Sequence, residues 1–160
     1  MSAELALLRS IVVDGPLATA AVQGITALGS FFVLTALAAS SYAIGQRRTA
    51  VSLGIGLGAT AAVVYAAKFV VGRTRPPVAV VETVTPAFPS GHAALAFAAA
   101  AVLGDRFPGQ RAWFLGLATL VAVSRLVLGV HYPTDVVAGA GIGYGIGWIV
   151  VENEHVMRRS

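Results

Sequence analysis

Long apolar runs separated by short polar connections dominate the hydrophobic pattern of this chain. Five runs are predicted to be membrane-spanning helices, the third of them short, at residues 17–44, 50–71, 90–104, 112–130 and 133–151. A helix needs roughly 20 apolar residues to cross a bilayer core of about 30 Å. Ahead of these runs, apolar residues recur at helical spacing at Leu5, Leu8, Ile11 and Val12. The pattern therefore predicts an all-α, integral membrane helical bundle of about five transmembrane helices plus an N-terminal interfacial helix.

The composition is that of a membrane protein. Of the 160 residues, 57% are hydrophobic and only 11% are charged, and the mean hydropathy is +0.81. A soluble domain of this size needs a more highly charged surface. The length fits a single domain over residues 1–160. The chain has no cysteine, which excludes disulfides, thiolate metal sites and cysteine nucleophiles.

The basic residues lie at the ends of the apolar runs and therefore bear on topology. One set of connections and the C-terminal tail carry arginines, which are Arg47, Arg48, Arg106, Arg111, Arg158 and Arg159. The positive-inside rule places that set in the cytoplasm. We expect a protein of the cell (plasma) membrane with a cytoplasmic C-terminus and with residues 72–89 and His131 on the extracytoplasmic side. This placement explains the net charge of +4 without a nucleic-acid partner.

Small residues in the last apolar run predict close helix packing. Gly139, Gly143 and Gly147 recur every four residues and so share one helix face. Small residues on one face let helices approach closely in lipid.

Ionisable residues at the ends of membrane spans are costly and usually functional. Lys68 and Arg75 are seven residues, about two helical turns, apart, so both can lie on one face and bind two oxygens of one phosphate. Arg73 falls off that face, and we interpret it as an anchor at the membrane interface. Interfacial anchoring is also the alternative for Lys68 and Arg75.

A second polar segment combines a helix start with a histidine. Ser90 is predicted to be the N-cap of the third span, and Gly91 opens that span. Free N–H groups at a helix start bind anions, and His92 in the first turn can reach the same anion. The alternative is a capped helix start that contains an incidental histidine.

A third polar segment places His131 just before the fifth span, within local reach of Asp135. A carboxylate on one imidazole nitrogen fixes the tautomer and leaves the other nitrogen free to attack. Arg125, near the end of the fourth span, needs an anionic partner, and the alternative is a structural Arg125–Asp135 pair beside an idle histidine. All three segments emerge on one predicted side, so together they predict a phosphoryl-transfer site.

The three segments resemble the motifs of the type 2 phosphatidic acid phosphatase (PAP2) superfamily, which read KxxxxxxRP, PSGH and SRxxxxxHxxxD. The chain carries them, within about residues 50–150, as Lys68…Arg75-Pro76, Pro89-Ser90-Gly91-His92 and Ser124-Arg125…His131…Asp135. Many membrane members have six spans, and here a short N-terminal segment stands in place of the first.

The resemblance implies a function and a role for each motif residue. The function is hydrolysis of a lipid phosphate monoester or diphosphate, of the phosphatidic acid, phosphatidylglycerophosphate or polyprenyl class, without a metal or other cofactor. His131 becomes phosphohistidine, Asp135 orients it, and His92 acts as general acid. The residues that bind the phosphoryl oxygens are Lys68, Arg75, Ser90, Gly91 and Arg125.

Several other functions are compatible with parts of this pattern. A phosphotransferase would use the same phosphohistidine but pass the phosphoryl group to another lipid or sugar. A transporter or lipid-binding protein with a degenerate site would lack motif residues, and none is missing. A vanadate-dependent haloperoxidase shares the anion site, but the membrane composition argues against it. A zinc site from His92, His131 and Asp135 is disfavoured because the neighbouring cations repel a dication. The sequence does not indicate an oligomeric state.

Overall fold

The computed structural model describes residues 3–160, which form helices with no strand among them, and the longest connection between helices is residues 72–90. The helices are α1 (Ala3–Ile11), α2 (Pro16–Ala27), α3 (Phe31–Ala43), α4 (Arg47–Val71), α5 (Gly91–Arg106), α6 (Arg111–Val127) and α7 (Pro133–Arg159). A short 3-10 helix, Pro108–Gln110, joins α5 to α6. The predicted all-α class is confirmed.

α5 forms the centre of the bundle and packs against α3, α4, α6 and α7. Much of its sequence is alanine, and nine of its residues are buried. Alanine suits this position because it favours the helix and lets neighbouring helices lie close. Larger side chains from the surrounding helices, such as Leu53 and Leu57 of α4, fill the space around it.

The glycines of α7 confirm the predicted close packing of that helix, and the helix it approaches is α5. A Cβ atom added at Gly139 would overlap the carbonyl oxygen of Ser90, and one at Gly143 would overlap that of Ala94. Gly147 repeats the contact one turn further along the helix. The glycine spacing therefore sets the distance between α5 and α7.

The first apolar run forms two helices rather than the single span predicted for residues 17–44. Ser30 starts the second of them, α3, because its Oγ accepts a 3.3 Å hydrogen bond from the backbone N–H of Val33 and caps the helix. Gly29 lies in the break between α2 and α3, where a Cβ atom would be 3.0 Å from the carbonyl oxygen of His92. The break therefore brings this part of the chain against the start of α5.

Two helices, α4 and α7, are each long and apolar enough to cross a membrane, with mean hydropathies of 1.8 and 1.4 over 18 residues. α1 and α2 together meet the same criterion of length and composition, but they are bent by 113° at their junction. α5 and α6 are shorter, with 16 and 17 residues. Residues 3–160 thus supply two candidate spans, or three if the bent pair is one span, and the predicted count of five is not confirmed.

α1 forms where the N-terminal helix was predicted, but its apolar side packs against the protein. Its Leu8 is completely buried. The segment after α1 is held by a 2.9 Å hydrogen bond from the N–H of Val13 to the carbonyl oxygen of Val127, at the end of α6. The location of α1 at the membrane interface stays a prediction.

Candidate active site

The loop between α4 and α5 brings the first two polar segments together. Lys68 lies in the last turn of α4 with 7% of its surface exposed, and its Nζ donates a hydrogen bond to the carbonyl oxygen of Pro86. Gly72 follows in the left-handed conformation, with φ +58°, and ends α4. The loop then returns to the start of α5, so Lys68 reaches the residues that precede that helix.

Arg75 connects this loop to the turn that precedes α7. Its Nε donates to the carbonyl oxygen of Thr85 at 2.8 Å, and its Nη2 donates to the Thr85 hydroxyl at 3.1 Å. Its Nη1 donates to the carbonyl oxygen of Val130 at 2.7 Å and lies 3.3 Å from Nε2 of His131. The guanidinium is thereby held beside the imidazole, where it can bind an anion that approaches Nε2.

The start of α5 carries a buried hydroxyl without a protein partner. Ser90 is the N-cap residue, as predicted, but its side chain makes no capping hydrogen bond. Its Oγ is buried and has no hydrogen-bond partner in residues 3–160. The Ser90 N–H instead donates to the carbonyl oxygen of Asp135 at 2.9 Å, which ties the start of α5 to the first turn of α7. Gly91 and His92 are the first two residues of α5, and Arg125 lies close enough to His92 to interact with it electrostatically.

A glycine turn between α6 and α7 sets the position of His131. Gly129 has φ +66°, and a Cβ atom there would lie 2.6 Å from the carbonyl oxygen of Val78, so only glycine fits. His131 follows with 1% of its surface exposed. Its Nδ1 lies 3.6 Å from Oδ2 of Asp135, just beyond hydrogen-bonding distance, and its Nε2 faces Arg75. A proton on Nδ1 and a lone pair on Nε2 suit both neighbours.

Burial is the main reason that His131 is neutral. It lowers the pKa of this imidazole from the ordinary value of 6.5 to about 4, and the positive charges of Arg75, Arg125 and Lys68 act in the same direction. Asp135 opposes them, because a carboxylate beside Nδ1 favours the protonated ring. At neutral pH the Nε2 lone pair is therefore available.

Asp135 is completely buried, and both of its oxygens are engaged. Oδ2 accepts a 2.8 Å hydrogen bond from the N–H of Tyr132, and Oδ1 accepts one of 2.6 Å from Nη1 of Arg73. The ion-pair partner of Asp135 is thus Arg73, and the alternative Arg125–Asp135 pair does not form in the described part of the chain. The interpretation of Arg73 as an interface anchor is wrong. Gly72 ends α4 before Arg73 and Arg75, so the helical period reaches neither arginine, and the prediction that Lys68 and Arg75 share one helix face is also wrong.

Arg125 lies in the last turn of α6 with 5% of its surface exposed. Its Nε has no hydrogen-bond partner within residues 3–160. The neighbouring Ser124 shares a 2.6 Å hydrogen bond with Thr26 of α2, so α2 is attached at the same end of the bundle. A guanidinium buried in this way is costly unless an anion pairs with it.

Sequence reasoning missed Glu4 and Thr134, which contact each other next to the Arg73–Asp135 ion pair. Oε1 of Glu4, in α1, accepts hydrogen bonds from the N–H and the hydroxyl of Thr134 at 3.0 and 2.8 Å. Oε2 of Glu4 forms an ion pair of 2.9 Å with Nη2 of Arg73. No local pattern signals these contacts, because Glu4 and Thr134 are 130 residues apart.

The cluster of histidines and carboxylates does not have the form of a metal site. Within residues 3–160, no group of three or more histidine, aspartate or glutamate side chains is arranged to hold a metal ion.

Comparison with known proteins identifies the family. The sequence profile of the PAP2 superfamily matches residues 49–156. Decaprenylphosphoryl-5-phosphoribose phosphatase from Mycobacterium tuberculosis is 34% identical over 154 residues, covering 89% of this chain and 84% of that protein. The solved structure of LpxE from Aquifex aeolicus matches with a TM-score of 0.84 and 28% identity, over 95% of this chain and 96% of that one. A transmembrane PAP2-type phosphatidylglycerolphosphate phosphatase from Bacillus subtilis also gives 0.84, with 25% identity over 96% and 85%. The chain therefore belongs to the PAP2 superfamily and is a PAP2-type phosphatase, a hydrolase of phosphoric esters.

Proposed function

We propose that this chain is a membrane phosphatase that hydrolyses a lipid phosphate monoester or diphosphate through a phosphohistidine at His131. The proposal assigns His92 as general acid and base and Asp135 as the residue that orients His131. It also assigns a set of residues that bind the phosphoryl oxygens, namely Lys68, Arg75, Ser90, Gly91 and Arg125.

One observation carries the proposal, namely buried donors without protein partners around a neutral imidazole. Ser90 Oγ and Arg125 Nε are both buried and unpartnered in residues 3–160. Buried polar groups in folded proteins are almost always paired. A phosphoryl group offers several strong acceptor oxygens and satisfies donors of this kind. Lys68 and Arg75 add positive charge. The free N–H groups at the start of α5, including that of Gly91, are further donors for a bound anion.

In the first half-reaction, the Nε2 lone pair of neutral His131 attacks phosphorus. The N–P bond forms, the P–O bond to the lipid breaks, and protonated His92 donates its proton to the departing oxygen. His131 then carries a proton on Nδ1 and the phosphoryl group on Nε2, so its ring is positively charged. The carboxylate of Asp135 stabilises that charge, while the cations stabilise the charge on the phosphoryl oxygens.

In the second half-reaction, neutral His92 accepts a proton from water while the water oxygen attacks phosphorus. The N–P bond breaks, and its electron pair returns to Nε2 of His131. Inorganic phosphate leaves, and the starting protonation states are restored. Neither step uses a metal.

Apolar space next to the site supports a lipid substrate. A cavity of about 250 Å³ lies between α3, α5 and α6, with Leu34, Ala96 and Val121 in its lining. Ala96 and Val121 also lie against Gly29 in the α2–α3 break, beside the backbone of His92. The cavity therefore begins about one helical turn from His92, where an apolar tail attached to a bound phosphate has room.

We place the site on the extracytoplasmic side of the plasma membrane and the C-terminus in the cytoplasm. At the end of α7 remote from His131, Glu154 pairs with Arg106 and Arg158. Arg47 and Arg48 line a cavity with the same two arginines. This clustering of positive charge supports the cytoplasmic assignment of that end.

The test is phosphate release by the purified chain in detergent micelles. The panel contains phosphatidic acid, phosphatidylglycerophosphate, undecaprenyl diphosphate and decaprenylphosphoryl-5-phosphoribose. We expect inorganic phosphate from at least one of them, at a rate that excess EDTA leaves unchanged. No release from any substrate would contradict the proposed function.

Two further outcomes would correct parts of the proposal. Inhibition by EDTA that zinc or magnesium reverses would contradict the metal-free mechanism. Transfer of labelled phosphate to an added acceptor lipid, in place of release to water, would identify a phosphotransferase.

A further inference from the structure

Two consecutive ion pairs link Glu4 of α1 to Asp135, the carboxylate next to His131. Glu4 pairs with Nη2 of Arg73 at 2.9 Å, and Nη1 of the same guanidinium pairs with Oδ1 of Asp135 at 2.6 Å. The guanidinium also lies over the ring of Tyr132, 4.1 Å from its centre. Arg73 is thus held between two carboxylates and an aromatic face, so its orientation depends on both acids.

Contacts other than these ion pairs also hold α1 in place. Leu8 is completely buried, and the Val13 N–H is bonded to the carbonyl oxygen of Val127. In addition, the Glu4 oxygen that accepts from Thr134 is not the one that pairs with Arg73. Replacing the Glu4 carboxylate by an amide therefore keeps an oxygen for Thr134, and it removes the negative charge and the oxygen that accepts from Arg73.

Glu4 is placed to affect the charge balance around His131. Asp135 is the carboxylate next to the imidazole, and Glu4 is the second carboxylate in the same set of ion pairs. The titratable and charged groups that surround His131 from the neighbouring elements are Lys68, Arg73, Arg75, His92, Arg125 and Asp135. Most of these are cationic, so the loss of one nearby negative charge leaves a positively charged phosphohistidine less stable.

We propose that Glu4 is a positioning residue for phosphoryl transfer, acting through Arg73 to hold Asp135 against His131. This inference rests on the proposed function. It makes the N-terminal helix, which lies outside the three motifs, a part of the reaction machinery. With Glu4 neutral, Arg73 pairs with Asp135 alone, and that carboxylate stabilises the developing charge on His131 less well.

The test compares Glu4→Gln with the matched control Asp14→Asn, using full-length protein in detergent. Asp14 is exposed, follows α1, and loses the same charge. The probes are undecaprenyl diphosphate and 4-nitrophenyl phosphate. For Glu4→Gln we expect kcat to fall about tenfold, comparable to the loss of a hydrogen-bonding partner behind a metal ligand. We expect KM to change little, since no proposed phosphate-binding residue contacts Glu4.

The pH profile separates positioning from a merely structural role. Loss of the Glu4 charge disfavours protonated His131, so the acidic limb of kcat/KM should move to lower pH in Glu4→Gln. Loss of the Arg73 charge in Arg73→Gln should move it to higher pH. In the double variant of Glu4→Gln and Arg73→Gln, the Glu4→Gln substitution should lower kcat less than it does in the otherwise unmodified protein. The reason is that Arg73, through which Glu4 acts, is already replaced.

Each other outcome decides against the proposal. Equal kcat and an unmoved limb in Glu4→Gln and Asp14→Asn would overturn it. So would a lower kcat accompanied by a lower thermal midpoint and an unmoved limb, or additive effects in the double variant. Absence of activity in the unmodified chain on both probes would instead count against the proposed function.

Discussion

Separate replacement of His131 and His92 distinguishes the two roles proposed for them. His131→Ala should lower kcat by roughly a thousandfold or more and abolish phosphoenzyme, because the nucleophile is lost. Rapid quenching with labelled substrate should give acid-labile, base-stable protein phosphate in the unmodified chain and none in this variant. Phosphoenzyme that persists in His131→Ala would show that another residue is the nucleophile.

The effect of His92→Ala should depend on the leaving group. General acid assistance is worth roughly 10²–10⁴-fold for a poor leaving group and much less for a good one. His92→Ala should therefore retain more activity on 4-nitrophenyl phosphate than on a lipid alkyl phosphate. Equal losses on both substrates, measured as kcat/KM, would argue against proton donation by His92.

The low pKa of His131 predicts the acidic side of the pH profile. Because burial lowers that pKa to about 4, the neutral nucleophile persists well below pH 6.5. The enzyme's acidic limb in kcat/KM should accordingly lie well below 6.5. Measurement with two phosphates of different acidity provides the control, since a limb that shifts between them belongs to the substrate. An acidic limb that belongs to the enzyme and lies at pH 6.5 or above would show that His131 is not a buried, neutral nucleophile.

At the scale of the helices, the contact between α5 and α7 positions the site. Gly139→Ala introduces a Cβ atom onto the carbonyl oxygen of Ser90, whose N–H is bonded to Asp135. The start of α5 must then move away from α7. We expect a large loss of activity together with about 1–3 kcal/mol of destabilisation from overpacking.

Gly141→Ala is the matched control for this substitution. A Cβ atom at Gly141 meets nothing within 4 Å, and alanine favours a helix over glycine by up to about 1 kcal/mol. Activity assays and thermal unfolding in detergent should leave Gly141→Ala unchanged or slightly stabilised. If Gly139→Ala behaves like Gly141→Ala, the close contact is not what positions Ser90.

At the scale of the whole molecule, the two ends of the bundle differ in chemistry. One end holds the site residues, and the other holds Glu154 with Arg106 and Arg158. Ser160→Cys should resist a membrane-impermeant thiol reagent in intact cells, because the positive end is assigned to the cytoplasm. Val84→Cys, at a fully exposed position in the loop on the site's side, should be labelled readily. Labelling of Ser160→Cys but not of Val84→Cys would show that the protein has the opposite orientation in the membrane.

The sequence by itself determined the features that depend on local geometry. Apolar runs predicted the helical class, and the four-residue glycine repeat predicted that the last helix packs closely against a neighbouring helix. The spacings within the motifs predicted that His131 would face Asp135 and that Ser90 would begin α5. These predictions succeed because helical periodicity and helix starts are encoded within a few neighbouring residues.

The tertiary structure alone decided which residues from distant parts of the chain meet. It divided the first apolar run at Gly29, where the backbone approaches His92, and it paired Asp135 with Arg73 rather than with Arg125. It also brought Glu4 to Arg73 across 69 residues. Such contacts depend on the direction of the backbone after α4 ends at Gly72 and on how α1 packs against α6. Neither can be predicted from a local sequence pattern. The helical class and the positions of most helices were therefore predictable, whereas the partners that hold the site together were not.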